Sequence, residues 1–241
     1  MARLFGTDGV RGEANIELKP ELAYHLGRAA TLYFGEGHEE QPRILIGRDT
    51  RISGPMFESA LAAGICSAGG IAIVAGIIPT PAIAYLAKSL KANAGIVISA
   101  SHNPFHDNGI KFFGGDGYKL PDAVEDDIEA LVHRIEGHDD LYRPHGSEVG
   151  TIEYRHDLVK SYMDFVLSTA DGRLDGMKIV LDCANGAAYE VMPAILRQLG
   201  VDLTVIHAAP YGTNINDGCG STHLESLQQA VVEYLRKRNG G

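Results

Sequence analysis

Ala94-Gly95-Ile96-Val97-Ile98-Ser99-Ala100-Ser101-His102-Asn103-Pro104 is the stretch on which the fold turns. Its first half, through Ser99, is a short apolar run rich in β-branched residues, the pattern of a strand covered on both faces. Its second half is polar and ends in a proline that biases Asn103 toward an extended backbone. The Ser101 hydroxyl therefore belongs at the carboxyl end of a buried strand, where ligands gather in open α/β sheets.

On both sides of this run, strands and helices alternate. Pro20-Glu21 opens a helix with Leu22, Leu26, Ala29 and Ala30 on one face, ending near Gly35, because a first-turn proline followed by an acid suits a helix start. Arg43 to Gly47 is a short apolar strand, and Ser53 is placed to cap a helix with Pro55 in its first turn and Gly69-Gly70 as its stop. Ile71 to Ala75 is another β-branched strand, and Pro79-Thr80-Pro81 starts a helix running through Lys88. Ile110 to Phe113 reads as a further strand, turned back by Gly114-Gly115. The helix from Pro121 gathers Asp122, Glu125, Asp126 and Asp127 early, where its dipole favours anions.

A polar stretch from Gly137 to Gly150 reads as a linker, and a helix from about Arg155 to Leu167 follows it. Lys178 to Asp182 and Asp202 to His207 are strands of a second unit, with a helix to Leu199 between them and a last helix from Leu224 to about Arg238. The expected class is α/β: a three-layer α/β/α domain over residues 1–140, a linker and connecting helix over 141–175, and an incomplete second α/β domain over 176–241. Two clear strands make a small sheet, so the tail Arg236-Lys237-Arg238-Asn239-Gly240-Gly241 reads as a truncation point.

The formal net charge of −10 argues against a nucleic-acid partner, which calls for a basic field. It leaves room for an anionic small molecule held by a few focused Arg and Lys residues. Cys66, Cys183 and Cys219 show neither disulfide nor zinc spacing, and Cys66 and Cys183 read as core residues. No charge occurs from Ser59 to Ala87, but Gly69-Gly70, Pro79 and Pro81 break that stretch into pieces too short to span a membrane. The opening MARLFGTDGVRG has no apolar signal core, so the expected setting is cytoplasmic, with no membrane partner.

A serine in a polar turn ordinarily serves the turn itself. His102 beside it is weak evidence for a catalytic pair, since neighbours in an extended chain point oppositely, and no G-x-S-x-G elbow supports a serine hydrolase. Three further segments change the weighing. Phe5-Gly6-Thr7-Asp8-Gly9-Val10-Arg11-Gly12 places an arginine in a glycine-rich loop. Gly47-Arg48-Asp49-Thr50-Arg51 follows a strand, and Asp107-Asn108-Gly109-Ile110-Lys111 follows the serine loop at short range. Each alone is a turn, a salt-bridged cap or a hairpin; their combination is not accounted for that way.

FGTDGVRG, GRDTR, SASHNP with NGIKFF, DCANGAAY and NINDGCGSTH, in that order and over nearly the whole chain, resemble the α-D-phosphohexomutase family. NINDGCGSTH resembles the branch acting on glucosamine phosphates more than the branch acting on mannose and glucose phosphates, which stays the alternative alongside a non-catalytic sugar-phosphate-binding fragment. The resemblance implies four domains around a cleft, of which this chain holds the first and part of the second. It implies that Ser101 carries the transferable phosphate and passes it to a hexosamine phosphate through glucosamine 1,6-bisphosphate. His102, Lys111 and Arg11 match the family's active-site residues, with Thr7, Arg48 and Asn103 expected to help bind substrate and phosphate. It also implies Mg²⁺, held by a phosphate oxygen on Ser101 and three aspartates of a D-G-D-x-D-R loop. No such loop occurs in this sequence, so the chain alone is expected to be nearly inactive.

Overall fold

A computed structural model of the chain describes residues 3–37, 39–137 and 141–238. Residues 138–140 of the polar stretch and 239–241 of the tail lie outside the described residues.

A six-stranded sheet organises the first part of the chain. Its strands are β1 (Val10–Glu13), β2 (Arg43–Arg48), β3 (Ile71–Ile77), β4 (Ala94–Ile98), β5 (Asp107–Gly114) and β6 (Thr151–Tyr154), in the spatial order β1-β5-β4-β2-β3-β6. β2 pairs in parallel with β3 and β4, β6 adds in parallel to β3, and β5 runs antiparallel to both β4 and β1. Alternation along the strands divides the core between the two faces. Ile44, Ile46, Ile96, Ile98, Ile110 and Phe112 face a cluster shared with α1 (Pro20–Gly35), α2 (Gly54–Ser67) and α4 (Asp122–Gly137). Leu45, Ile73, Ala75 and Val97 face α3 (Thr80–Ser89) and Leu158 of α5 (Leu158–Ser168). The result is the expected three-layer α/β/α arrangement.

Local chemistry explains the close fits. α1 and α2 cross so tightly that a Cβ at Gly64 would overlap the carbonyl oxygen of Tyr24. The fully buried Arg28 reaches from α1 to the carbonyls of Ser67, Leu141 and Tyr142, tying the segment after α4 back onto the helical layer. On the other face Tyr85 of α3 stacks on Phe165 of α5 with ring centroids 3.8 Å apart.

β7 (Lys178–Asp182) and β8 (Asp202–Ile206) form a separate parallel pair. α6 (Val191–Gln198) packs on β8, α7 (Glu225–Arg238) packs on β7, and α5 touches both α3 and α6.

Four expectations change. The glycine-rich N-terminal segment is no mere loop: Val10–Glu13 is an edge strand, with Arg11 opposite Gly109. β6 follows the polar stretch and completes the first sheet, where no strand was anticipated. The strand after the serine loop begins at Asp107, three residues earlier than expected. Ser53 sits at the N-cap position of α2 without capping it: its backbone is already helical, φ −75° and ψ −13°, and its Oγ accepts a hydrogen bond from Asn108 Nδ2 at 2.9 Å. None of the described helices is long and apolar enough to cross a membrane.

Candidate functional site

The chain passes from β2 to β3 on one side and then crosses back to β4 on the other, so the loops after β2 and β4 diverge from a switch point. Crevices at such points are where open α/β sheets bind ligands. The Asp49 amide donates to the Ile98 carbonyl at 3.0 Å, locking the two carboxyl ends together.

From that end the serine loop is built with few degrees of freedom. Ser99 N–H donates to Gly109 O at 2.9 Å, and Ser101 N–H donates to Ser99 Oγ at 3.1 Å. A Cβ at Gly109 would lie 2.9 Å from the Ser99 carbonyl oxygen and 3.0 Å from Arg11 Cγ, so only glycine leaves room for both. Ser101 then adopts φ 57°, a left-handed backbone that costs a non-glycine residue about 1–2 kcal/mol and must be held by its surroundings. The chain is therefore not extended here, and Ser101 and His102 are both exposed on the rim of one cavity. That cavity, about 560 Å³, is lined by the loop and by the carboxyl end of β7, with Asp182, Ala184, Asn216 and Gly220 among its residues. His102 also lines a neighbouring hollow of about 420 Å³ with Phe105, His106 and Asn216.

The holders are specific. Arg51, with no solvent exposure, donates from Nη2 to the carbonyls of Ser101 at 3.3 Å and Asn103 at 2.6 Å, and its Nη1 pairs with Asp49. Asn216 Nδ2 donates to the same two carbonyls at 2.9 and 3.0 Å. Neither residue was singled out from the sequence, although GRDTR and NINDG both drew attention as segments. The Asn103 side chain, expected to bind phosphate, instead donates to Asp107 Oδ2 at 2.9 Å and braces the loop.

Arg11 and Lys111 share one face of the sheet, because Arg11 stands opposite Gly109 and Lys111 follows two residues later. Asp8 joins them, 3.0 Å from Arg11 Nη2 and 4.0 Å from Lys111 Nζ. Burial and the neighbouring Arg11 charge push the Lys111 amine below the usual lysine value, with Asp8 opposing. Thr7 and Lys111 line a smaller pocket of about 190 Å³ with Thr80, Lys119 and Glu125, not the cavity that Ser101 borders. Arg48 joins neither group. It lies 3.3 Å from Glu58 Oε2 on α2, and burial holds that carboxyl above its ordinary value despite the arginine.

Among the described residues one cluster has three groups able to ligate a metal: Asp182, His207 and Cys219. The Asp182 oxygens already accept the N–H groups of Ala184 and Gly220 at 2.8 and 2.9 Å and face His207 Nδ1 at 3.1 Å. One carboxylate with an imidazole and a thiol does not suit Mg²⁺, which takes a cage of oxygens. The cluster joins the loops after β7 and β8 to the 213–220 loop. All three cysteines are free thiols raised by burial, with Cys183 pushed up to about 11.

The family described as phosphoglucomutase/phosphomannomutase, alpha/beta/alpha domain I, matches residues 2–139, which contain the whole serine loop and the Arg11, Lys111 and Asp8 group. The chain belongs to the phosphoglucomutase/phosphomannomutase family. Phosphoglucosamine mutases of Ruminiclostridium cellulolyticum and Moorella thermoacetica are 52% and 57% identical to it over 233 residues, covering 97% and 96% of this chain. The chain spans about half the length of these curated relatives, 51% and 52%. A crystal structure of a phosphoglucomutase/phosphomannomutase family protein from Burkholderia thailandensis superposes with a TM-score of 0.77 at 24% identity, over 96% of this chain and 49% of that one. At that identity the likeness speaks for the fold.

Proposed function

We propose that this chain is the phosphate-carrying part of a phosphoglucosamine mutase that interconverts glucosamine 6-phosphate and glucosamine 1-phosphate. The observation that carries the reading is Ser101 itself: a hydroxyl at the switch-point end of β4, exposed on a cavity rim, on a loop whose carbonyls are pinned from two sides. The relatives' shared name supplies the substrate class.

In this reading Ser101 carries a phosphoryl group on Oγ. A sugar hydroxyl oxygen bonds to phosphorus as the Oγ–P bond breaks, giving glucosamine 1,6-bisphosphate. The intermediate then turns over and returns its other phosphate to Ser101. Phosphoryl transfer asks a protein chiefly for position and charge compensation. Arg11 offsets phosphate charge. Lys111 takes the sugar hydroxyl proton on Nζ when unprotonated, a state that its lowered pKa favours. His102, on the same rim as Ser101, and Thr7 contact the sugar phosphate as it enters, while Arg48 and Asn103 act by bracing the loops around it. The family resemblance brings Mg²⁺ as the counter-charge for the moving phosphoryl group. The described residues do not form a site for it, so no step here runs through the metal.

The domain division expected from the sequence, 1–140, 141–175 and 176–241, stays a proposal, with β6 and Leu158 of the middle segment packing onto the first domain. A coupled assay with glucosamine 6-phosphate, Mg²⁺ and a bisphosphate primer tests the function. The 241-residue chain should turn over barely, whereas the chain joined to the C-terminal half of the Moorella thermoacetica relative should turn over and prefer glucosamine over glucose and mannose phosphates. Equal rates on all three sugars would remove the glucosamine assignment.

A further inference from the structure

We infer that Asn216 is a positioning residue for Ser101: the second unit holds the serine loop in its reactive shape, and Asn216 is the hand that does so. The consequence for phosphate transfer rests on the phosphoserine reading above; the geometry stands without it.

The loop needs holding, because Ser101 occupies a left-handed backbone without being glycine. Two of its carbonyls, those of Ser101 and Asn103, converge on a pair of donors, Arg51 from the loop after β2 and Asn216 from the second unit. Arg51 is fixed within the first sheet by Asp49. Asn216 is fixed from the other side, since its backbone N–H donates to Ala184 O at 3.0 Å, in the loop that leaves β7. Its own backbone is left-handed, with φ 60°, and its amide faces the serine loop.

Two further bonds seat the second unit on the same spot. Thr50 Oγ1 donates to Asn185 O at 2.5 Å, and Ile52 N–H donates to Gly212 O at 2.9 Å. Thr50 and Ile52 flank Arg51 in sequence, so one short segment both carries one donor and anchors the unit that carries the other. Moving the second unit away would strip the Ser101 and Asn103 carbonyls of half their donors and leave φ at Ser101 free to relax. The placement of the acceptor oxygen is thereby coupled to the docking of the two units.

The test uses Asn216→Ala and the nearly isosteric Asn216→Asp, whose carboxylate would face two carbonyl oxygens with no proton to donate. In the 241-residue chain, amide hydrogen exchange over residues 99–104 should quicken about tenfold or more in both variants, while β2 and β4 amides and the melting temperature stay near the parent's. In the chain joined to the relative's C-terminal half, phosphoryl uptake at Ser101 from glucose 1,6-bisphosphate should fall about 10- to 100-fold at saturating donor, with the half-saturating concentration unchanged. Unchanged loop exchange in both variants would overturn the inference, as would a loss spread evenly over all amides. If the parent takes up no phosphate at Ser101, the mutase reading falls, and the exchange data still decide the role of Asn216.

Discussion

β4 and β7 both end in polar loops on the same cavity, yet they live in different surroundings. β4 is buried at every residue, hydrogen-bonded on both edges and covered on both faces. β7 has one partner, is exposed at its first residue and only partly covered along the rest. A two-stranded sheet is marginal by itself, so the second unit leans on its dock against the first and on side-chain bonds such as those of Asp182. The site is thus a rigid shelf carrying Ser101 and a less stable wall facing it.

The largest contrast should come from core truncation. Ile96→Ala, at a position with no exposure, should cost about 2–5 kcal/mol in urea unfolding. Val180→Ala, on the partly covered β7, should cost about 1 kcal/mol. Equal losses would erase the distinction between shelf and wall. Gly64→Ala should cost about 1–3 kcal/mol by forcing α1 and α2 apart, without changing exchange at β7 and β8.

Thiol chemistry sharpens the same contrast at smaller amplitude. Cys183 is buried beside Asp182 with its thiol pushed up to about 11, so at pH 8 it should react with a disulfide reagent no faster than the second unit opens. Mild denaturant should release it before any β4 amide exchanges. Prompt labelling in buffer would show the wall to be looser than its packing implies.

The smallest effect concerns Lys111. Its amine is lowered chiefly by burial and then by Arg11, with Asp8 pulling the other way. Because the folded pKa lies below the unfolded one, the protonated form is penalised in the folded state. The strain is present at low pH and is relieved as pH rises through the folded pKa. Asp8→Asn should lower the Lys111 titration midpoint further and Arg11→Met should raise it, both readable by NMR of labelled lysine; shifts of opposite sign would refute the assigned neighbours.

Much of the shelf was legible in the sequence. The apolar runs of β2, β3 and β4, and the prolines and glycines bounding α1, α2 and α3, announce themselves within a few residues. β1 and β6 did not. β1 is only Val-Arg-Gly-Glu, paired with a strand nearly a hundred residues away, and β6 is a short, largely exposed edge strand, so neither carries an apolar signature. Ser53 was misread as a cap because its true partner, Asn108, is 55 positions distant. For the site, the segments exposed Ser101, Arg11 and Lys111 as a group but not that the serine and the lysine line different pockets. Asn216 was invisible for the plainest reason: its role consists of bonds to main-chain carbonyls 115 and 113 positions away, and carbonyls leave no mark on side-chain identity.

Every functional statement rests on one oxygen atom. Intact-mass spectrometry of the joined protein after exposure to glucose 1,6-bisphosphate should show a gain of one phosphate, mapped to the peptide containing Ser101 and absent from Ser101→Ala. A phosphate found on another residue, or the same gain in Ser101→Ala, would contradict the account.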